Sequence, residues 1–351
     1  MKIAIITDTH WGIRGDSPVF LEQQNEFYQN IFFPTLEKNN IKTIIHCGDL
    51  VDKRKSINFN TSKWMRESFL DKLTNYHVHI ITGNHDIYYK STNSVNVFRE
   101  LLRSYPFHIY EESTEVTIHD QPMVFIPWIN QENTKHTHDI IESTTAPLAF
   151  GHLEITGFEM FKGAYCEHGL NKSIFDKFDM VFSGHFHHKS TQSNIYYLGA
   201  PYQMTWSDYG FDRGFHLFDL ETRELEFIKN PYQMFHKLFY DDTDVTLEVL
   251  KQNIEDYNVG GSYIKVIVEV KNDPYLFDMF VEHVESQKPY DLKIVDALTI
   301  MGNNNTIIDK TEDTHTILMN SIDDMEISTD KKKLKSLMSN LYKESINIEV
   351  D

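Results

Sequence analysis

A chain of 351 residues is long enough for one large domain or two smaller ones with buried cores, and its formal charge of −19 excludes a generally basic, nucleic-acid-neutralising surface. Any nucleic-acid substrate would need local basic patches, bound cations or a partner. The longest apolar runs fall well short of the roughly 20 residues that span a bilayer, Cys47 and Cys166 are too few for a disulfide framework, and a strand stands where a signal peptide would, so a cytoplasmic protein without membrane association is expected.

From residue 1 to about 105 the pattern alternates strand and helix. Lys2 to Thr7, Lys42 to His46 and His77 to Thr82 are short apolar runs that predict strands. Between them, Pro18 to Lys38 sets Phe20, Phe27, Ile31 and Phe32 among polar residues, and Asn60 to Asn75 does the same with Trp64, Phe69 and Leu73; both predict helices. Such alternation implies right-handed crossovers, a largely parallel sheet, and functional loops at the carboxyl ends of the strands.

From about 107 to 230 the runs shorten and become hairpin-like: Glu115 to His119 with Met123 to Pro127, Met180 to Ser183, Ser190 to Leu198, and Gly214 to Asp219 with Glu224 to Lys229. They predict a second, mixed sheet packed on the first, giving an α/β fold over residues 1–231 in which a β-sandwich is flanked by helices in four layers. Residues 232–300 predict a small α/β cap: strand Lys237 to Tyr240, helix Thr246 to Asp256, strand Tyr263 to Val270, helix Pro274 to Ser286 and strand Leu292 to Ile300. Residues 301–329 are polar and acidic and read as a linker. In the last segment, 330–351, Leu334, Leu337, Met338, Leu341 and Tyr342 recur at the spacing of an amphipathic helix over Lys331 to Glu344.

Five short runs carry chemistry, each after a predicted strand: Asp8-Thr9-His10, Gly48-Asp49-Leu50-Val51-Asp52, Gly83-Asn84-His85-Asp86, Gly151-His152 and Gly184-His185-Phe186-His187. Carboxylates and imidazoles presented together are ordinary ligands for manganese, iron or zinc. Alone, Asp8 and His10 equally suit a polar loop, Gly-Asp suits a tight turn, and His152 suits a solvated side chain; their order promotes them. Asp49 offers two oxygens able to bridge two cations, and Asp52 reads either as a carboxylate behind the ligands or as a turn cap. Asn84 offers a neutral amide oxygen. The adjacent His85 cannot easily reach the same ion, which leaves it as a general acid or as a charge partner for phosphate. Asp86 either orients the His85 imidazole or is structural. His77, His79, His136, His138 and His188 are read as incidental.

In this order the runs resemble the calcineurin-like metallophosphoesterase superfamily, across about residues 1 to 220. Asp8-Thr9-His10-Trp11-Gly12, Gly48-Asp49-Leu50-Val51-Asp52 and Tyr197-Leu198-Gly199-Ala200-Pro201 are similar to the SbcD-type nuclease subunits of DNA double-strand-break repair. The compact length and the region Pro201-Tyr202-Gln203 to Thr205-Trp206 look like the recombination endonuclease subunits of T-even-like bacteriophages. The resemblance implies a metallophosphoesterase β-sandwich and a centre of two divalent cations, manganese first and magnesium as the alternative. One cation would take Asp8, His10, Asp49 and His187, the other Asp49, Asn84, His152 and His185, with His85, Asp86 and Asp52 in catalytic support. It further implies exonuclease and endonuclease activity on DNA, a homodimer, a cap that contacts DNA, and a coiled-coil SMC-like ATPase partner of the SbcC type bound by segment 330–351. Arg14, Lys53, Arg54 and Lys55 are candidate DNA-facing cations. The competing expectation is a phosphatase of the same superfamily acting on phosphoproteins or small phosphoesters. Such enzymes usually carry Arg-Gly after the last Asp of the second run and Glu after the histidine of the third, where this chain has Lys53-Arg54 and Asp86.

Overall fold

The computed structural model describes residues 1–161, 164–255 and 259–296, with Ile322 and positions 331, 333–335, 337, 338 and 341 beyond them. Two compact units divide the chain: Met1–Met204 with Gly210–Tyr232, and Thr205–Tyr209 with Gln233–Asp351.

The first unit starts as the alternation predicts. Strands β1 (Lys2–Ile6), β2 (Thr43–His46), β3 (His77–Ile81) and β4 (His108–Tyr110) run parallel, in that spatial order. A helix from Pro18 joins β1 to β2, one from Phe59 joins β2 to β3, and each passes through a single π turn, at Tyr28–Phe32 and Arg66–Leu70. The second helix starts where the Asn58 side chain accepts the amide of Asn60, meeting a donor the helix cannot satisfy itself.

A second sheet follows. Strands β5 (Thr114–Ile118) and β6 (Gln121–Ile126) form the expected antiparallel hairpin, and β6 runs parallel to β7 (Leu148–His152). After a small excursion, β8 (Glu159–Phe161) with β9 (Ala164–Tyr165), the chain returns in β10 (Met180–Gly184), parallel to β7. Ser190 to Leu198, read as one strand, is a hairpin of β11 (Ser190–Gln192) and β12 (Ile195–Tyr197), with β12 parallel to β10.

Strands β13 (Gly214–Asp219) and β14 (Leu225–Lys229) correct an expectation. They belong to the first sheet, where β13 lies antiparallel to β1 with Ile5 opposite His216. Local alternation specifies a hairpin but not which distant edge receives it. The helix Thr134–Ser143 was also unforeseen, because only Thr137 and Ile141 of its residues are buried.

Successive residues of a strand face opposite sides, and here both sides are apolar. Ala4, Ile6 and Ile44 pack under the Pro18 and Phe59 helices with Phe27, Tyr28 and Phe69. Ile3, Ile5 and Ile45 instead meet Phe125, Phe150 and Phe182 between the sheets. Val124, Ala149 and Val181 form a third layer with Ile141 and Phe175 on the far side. These three apolar interfaces make the four-layer helix–sheet–sheet–helix sandwich.

In the second unit, β15 (Phe235–Asp241), β16 (Tyr263–Val270) and β17 (Asp291–Asp296) form a parallel sheet. Helices Leu247–Glu255 and Pro274–Ser286 pack on it through Leu250, Phe277, Phe280 and Val284. The segment Thr205–Tyr209 joins this unit, with the Trp206 ring 4.8 Å from that of Phe235 and Lys265 over its face at 4.2 Å. The remainder of the strand expected to reach Ile300 lies outside the described residues, as does the 301–329 linker apart from Ile322, which is helical and buried. The described positions of segment 330–351 are helical. No helix among the described residues is long and apolar enough to cross a membrane.

Candidate metal centre

The five runs leave the carboxyl ends of five strands. Asp8 and His10 follow β1, Asp49 follows β2, Asn84 and His85 follow β3, His152 ends β7, and His185 and His187 follow β10. The sheets are tied together here: the His185 amide donates to both Asp8 carboxylate oxygens at 3.1 Å, and the Trp128 amide donates to the Thr82 carbonyl at 2.7 Å.

Three groups of donors result, the ligand atoms in each within 4.8 Å of one another. His10, Asp52 and His85 form one, and the two that flank Asp49 are Asp8, His10 and His187, and Asp49, His152 and His185. Asp49 stands between them: its Oδ2 is 3.6 Å from His10 Nε2 and 3.3 Å from His152 Nε2. Asn84 Oδ1 lies 2.9 Å from His152 Nε2, and the Nε2 atoms of His10 and His187 are 3.0 Å apart.

The donor set fits divalent cations. Bonds of about 2.1 Å place opposite ligands of one ion roughly 4.2 Å apart, within the spread observed. His152 Nδ1 lies 2.8 Å from the Cys47 carbonyl, an arrangement in which Nδ1 donates and Nε2 is aimed at Asp49, where a bound cation would take the place of its proton. His10 Nδ1 faces Asp52 Oδ1 at 3.5 Å, so its Nε2 also points inward.

Local backbone and packing explain the residue types. Asp8, His10, Asp49 and His185 have φ of 51°, 38°, 56° and 86°, the left-handed region that side chains rarely adopt, and a strained backbone of this kind concentrates at functional sites. Gly48 is left-handed too, and a Cβ there would stand 2.6 Å from His152 Nδ1. A Cβ on Gly83 would overlap the Asp49 amide and carboxylate, and one on Gly184 would overlap the Thr7 hydroxyl.

Two residues expected in catalytic support sit differently from the simplest expectation. Asp86 is turned away from the His85 ring. Its Oδ2 accepts from the amides of Gly83 (2.9 Å) and Asp49 (2.8 Å), and its Oδ1 from Leu50 (2.8 Å) and Val51 (3.3 Å). Adjacent residues project in different directions, so neighbours in sequence rarely share a target. Burial and the nearby Asp49 push Asp86 up to about 7, but four N–H donors are met only by the ionised form. Asp52 stands behind His10 through its carboxylate, and its backbone carbonyl lies 2.5 Å from His85 Nδ1. His85 is thereby aimed by a backbone group, with its ring 4.8 Å from that of His10.

The charges of the centre are mutually dependent. Burial works against protonation of His10, but Asp52, Asp49 and Asp8 raise it to about 9; burial likewise opposes His152, and Asp49 with Asp8 raises it to about 9. Burial would push Asp49 up, yet His152, His85 and His10 hold it well below the usual carboxylate range. Asp8, raised to about 6 by burial and by Asp49, is the softer acid. Burial lowers His85, and lowers His185 to about 3.

Sequence reading missed Trp128, whose ring lies 5.0 Å from His185 and 6.1 Å from His152, and Thr7, whose hydroxyl donates to Asp8 Oδ2 at 2.8 Å. Thr7 was legible as the residue before Asp8; Trp128 sits beyond β6 in no run of ligands. The histidines read as incidental include His79, with Nδ1 2.8 Å from the Tyr110 hydroxyl, and His136, with Nε2 3.0 Å from the Ser113 carbonyl. Among the candidate DNA-facing cations, Lys53 pairs with Asp16 at 2.8 Å and Arg14 donates to the Met204 carbonyl at 2.9 Å.

The family model of the calcineurin-like phosphoesterases matches residues 1–189. The chain belongs to this family. As a calcineurin-like phosphoesterase it is a metal-dependent enzyme of phosphoester hydrolysis, and divalent cations are implied. It is 35% identical over 243 residues to exonuclease subunit 1 of Enterobacteria phage T4, covering 68% of this chain and 71% of that protein. Solved structures align at low identity. An archaeal phosphodiesterase aligns at 15% identity over 66% of this chain and 100% of its own (TM-score 0.32). The calcineurin-like phosphoesterase YfkN of Bacillus subtilis aligns at 12% over 81% and 98% (TM-score 0.36).

Proposed function

We propose that this phosphoesterase is the nuclease subunit of a DNA recombination and double-strand-break repair assembly, cutting linear or single-stranded DNA with two manganese ions. The observation that carries the reading is Asp49, one oxygen of which stands within 3.6 Å of imidazoles from both donor groups. The relative from phage T4 is named an exonuclease subunit, which favours a nucleic-acid substrate and a partner over a small phosphoester.

In this reading Asp8, His10, Asp49 and His187 hold one cation, and Asp49, Asn84, His152 and His185 the other. Bound divalent cations supply Lewis-acid activation of water and neutralise phosphate charge. The chain supplies the rest. Asp52 and the Cys47 carbonyl fix the rings of His10 and His152, and Asp86 fixes the loop that carries Asp49. His85, aimed by the Asp52 carbonyl, meets the diester with Nε2; the phosphate charge opposes the effect of burial and keeps a proton there for the departing oxygen.

Segment 330–351 would bind the coiled-coil ATPase: Leu337 and Leu341, four residues apart on one helical face, are both about half exposed. Homodimer formation and DNA contact by residues 232–300 belong to the same proposal. The test supplies purified protein and manganese with linear and single-stranded DNA, and in parallel with phosphoproteins. DNA cleavage is expected; intact DNA beside rapid phosphoprotein hydrolysis would overturn the reading.

A further inference from the structure

Beside the metal centre lies a groove of about 190 Å³ that the chemistry above does not use. Ile57, Tyr88 and Leu101 line it with apolar and aromatic surface, and Lys53, Arg54 and Lys55 line it with positive charge; Glu100 also lines it, and Lys53 pairs with Asp16. Both walls spring from residues that touch His85. Lys53 follows Asp52, whose carbonyl holds the imidazole, and Tyr88 is three residues beyond His85 itself. At about 3.3 Å per residue the groove starts within roughly 10 Å of His85, the length of some three stacked nucleotides.

The aromatic wall is anchored. The Tyr88 amide donates to the Val95 carbonyl at 2.9 Å, the Val97 amide donates to the Asp86 carbonyl at 2.9 Å, and Ile87 bridges Asn96 with its own side chain fully buried. On that anchor the rings of Tyr88 and Tyr89 stand 4.7 Å apart, edge to face, 41% and 54% exposed. Large aromatic surface held rigidly in water is what an unpaired base stacks on, and cations beside it match the phosphates on either side. In a chain of charge −19, three consecutive cations at this place are a local basic patch of the kind a nucleic-acid substrate needs.

We propose that this groove is a nucleotide subsite for the strand being cut, taking one unpaired base on Tyr88 with its phosphates along Lys53, Arg54 and Lys55. The inference rests on the nuclease reading and deepens it: the enzyme engages a melted or single-stranded end in preference to intact duplex.

The test is manganese-loaded full-length protein acting on single-stranded oligonucleotides carrying one abasic position, scanned along the strand. Wild-type KM is expected to rise about tenfold when the missing base is the one that enters the groove. Tyr88→Ala should raise KM for the intact strand by a similar factor, change kcat less than about twofold, and lose the abasic penalty, because the two changes remove the same contact. Tyr88→Phe should keep both the low KM and the penalty, which separates stacking from any loss of fold. Equal KM for wild type and Tyr88→Ala, or an abasic penalty that survives in Tyr88→Ala, would overturn the subsite while leaving the nuclease intact. Wild-type protein that hydrolyses bis(p-nitrophenyl) phosphate but cuts no oligonucleotide would overturn the nuclease reading, and the subsite with it.

Discussion

Replacing Asp86 by Asn separates a structural role from a proton-relay role. The carboxylate is 1% exposed and accepts four backbone amides, two on each oxygen. Asn keeps one acceptor oxygen and turns an NH2 toward the other pair, so two buried donors lose their partner. At about 1–3 kcal/mol for each unmet donor, the loss is about 4 kcal/mol. Because those amides belong to Gly83, Asp49, Leu50 and Val51, the bridging carboxylate would lose its seat as well, and manganese affinity should fall at least about tenfold. Urea unfolding in chelator reads the first effect without the second, and a metal titration reads the second. A variant within ~0.5 kcal/mol of wild type that loses only kcat would refute the reasoning and make Asp86 a partner of His85.

Two further outcomes follow from the same structure. His85→Ala should retain both cations yet cut DNA about 100-fold more slowly or worse, measured by metal content beside turnover, since its ring, held by the Asp52 carbonyl, is not among the ligands proposed for either cation. His216 is buried at 3% exposure and lowered to about 3, by burial first and then by Lys189. Its folded pKa lies below the unfolded value of about 6.5, so as pH falls through 6.5 the unfolded chain takes the proton first and stability drops. At pH 5 that amounts to about 2 kcal/mol, so the stability of His216→Phe relative to wild type should improve by that amount between pH 7 and pH 5 in urea titrations. An unchanged difference would contradict it.

Much of the centre was legible because its ligands follow strands whose apolar runs stand out. Ile3 to Ile6 and Val181 to Ser183 are buried on both faces, and a chain of that kind cannot end in Asp or His without a reason. What failed to show was non-local or conformational. The edge that receives Gly214–Asp219 is β1, more than 200 residues earlier, and nothing in either alternating pattern names the other. The left-handed φ of Asp8, Asp49 and His185 is invisible in the sequence, because Asp and His adopt it only as occasional single residues and are far more often elsewhere. Asp86 stayed open between orienting His85 and a structural role, because the amides it serves come mainly from the second run, more than 30 residues upstream.

Counting ions is the most direct check on the paired centre. Titration of metal-free protein with manganese should reach two ions per chain, and Asp49→Ala should lose tight binding at both positions, because that carboxylate faces both groups. A single ion in wild type, or two ions held with unchanged affinity in Asp49→Ala, would contradict the account.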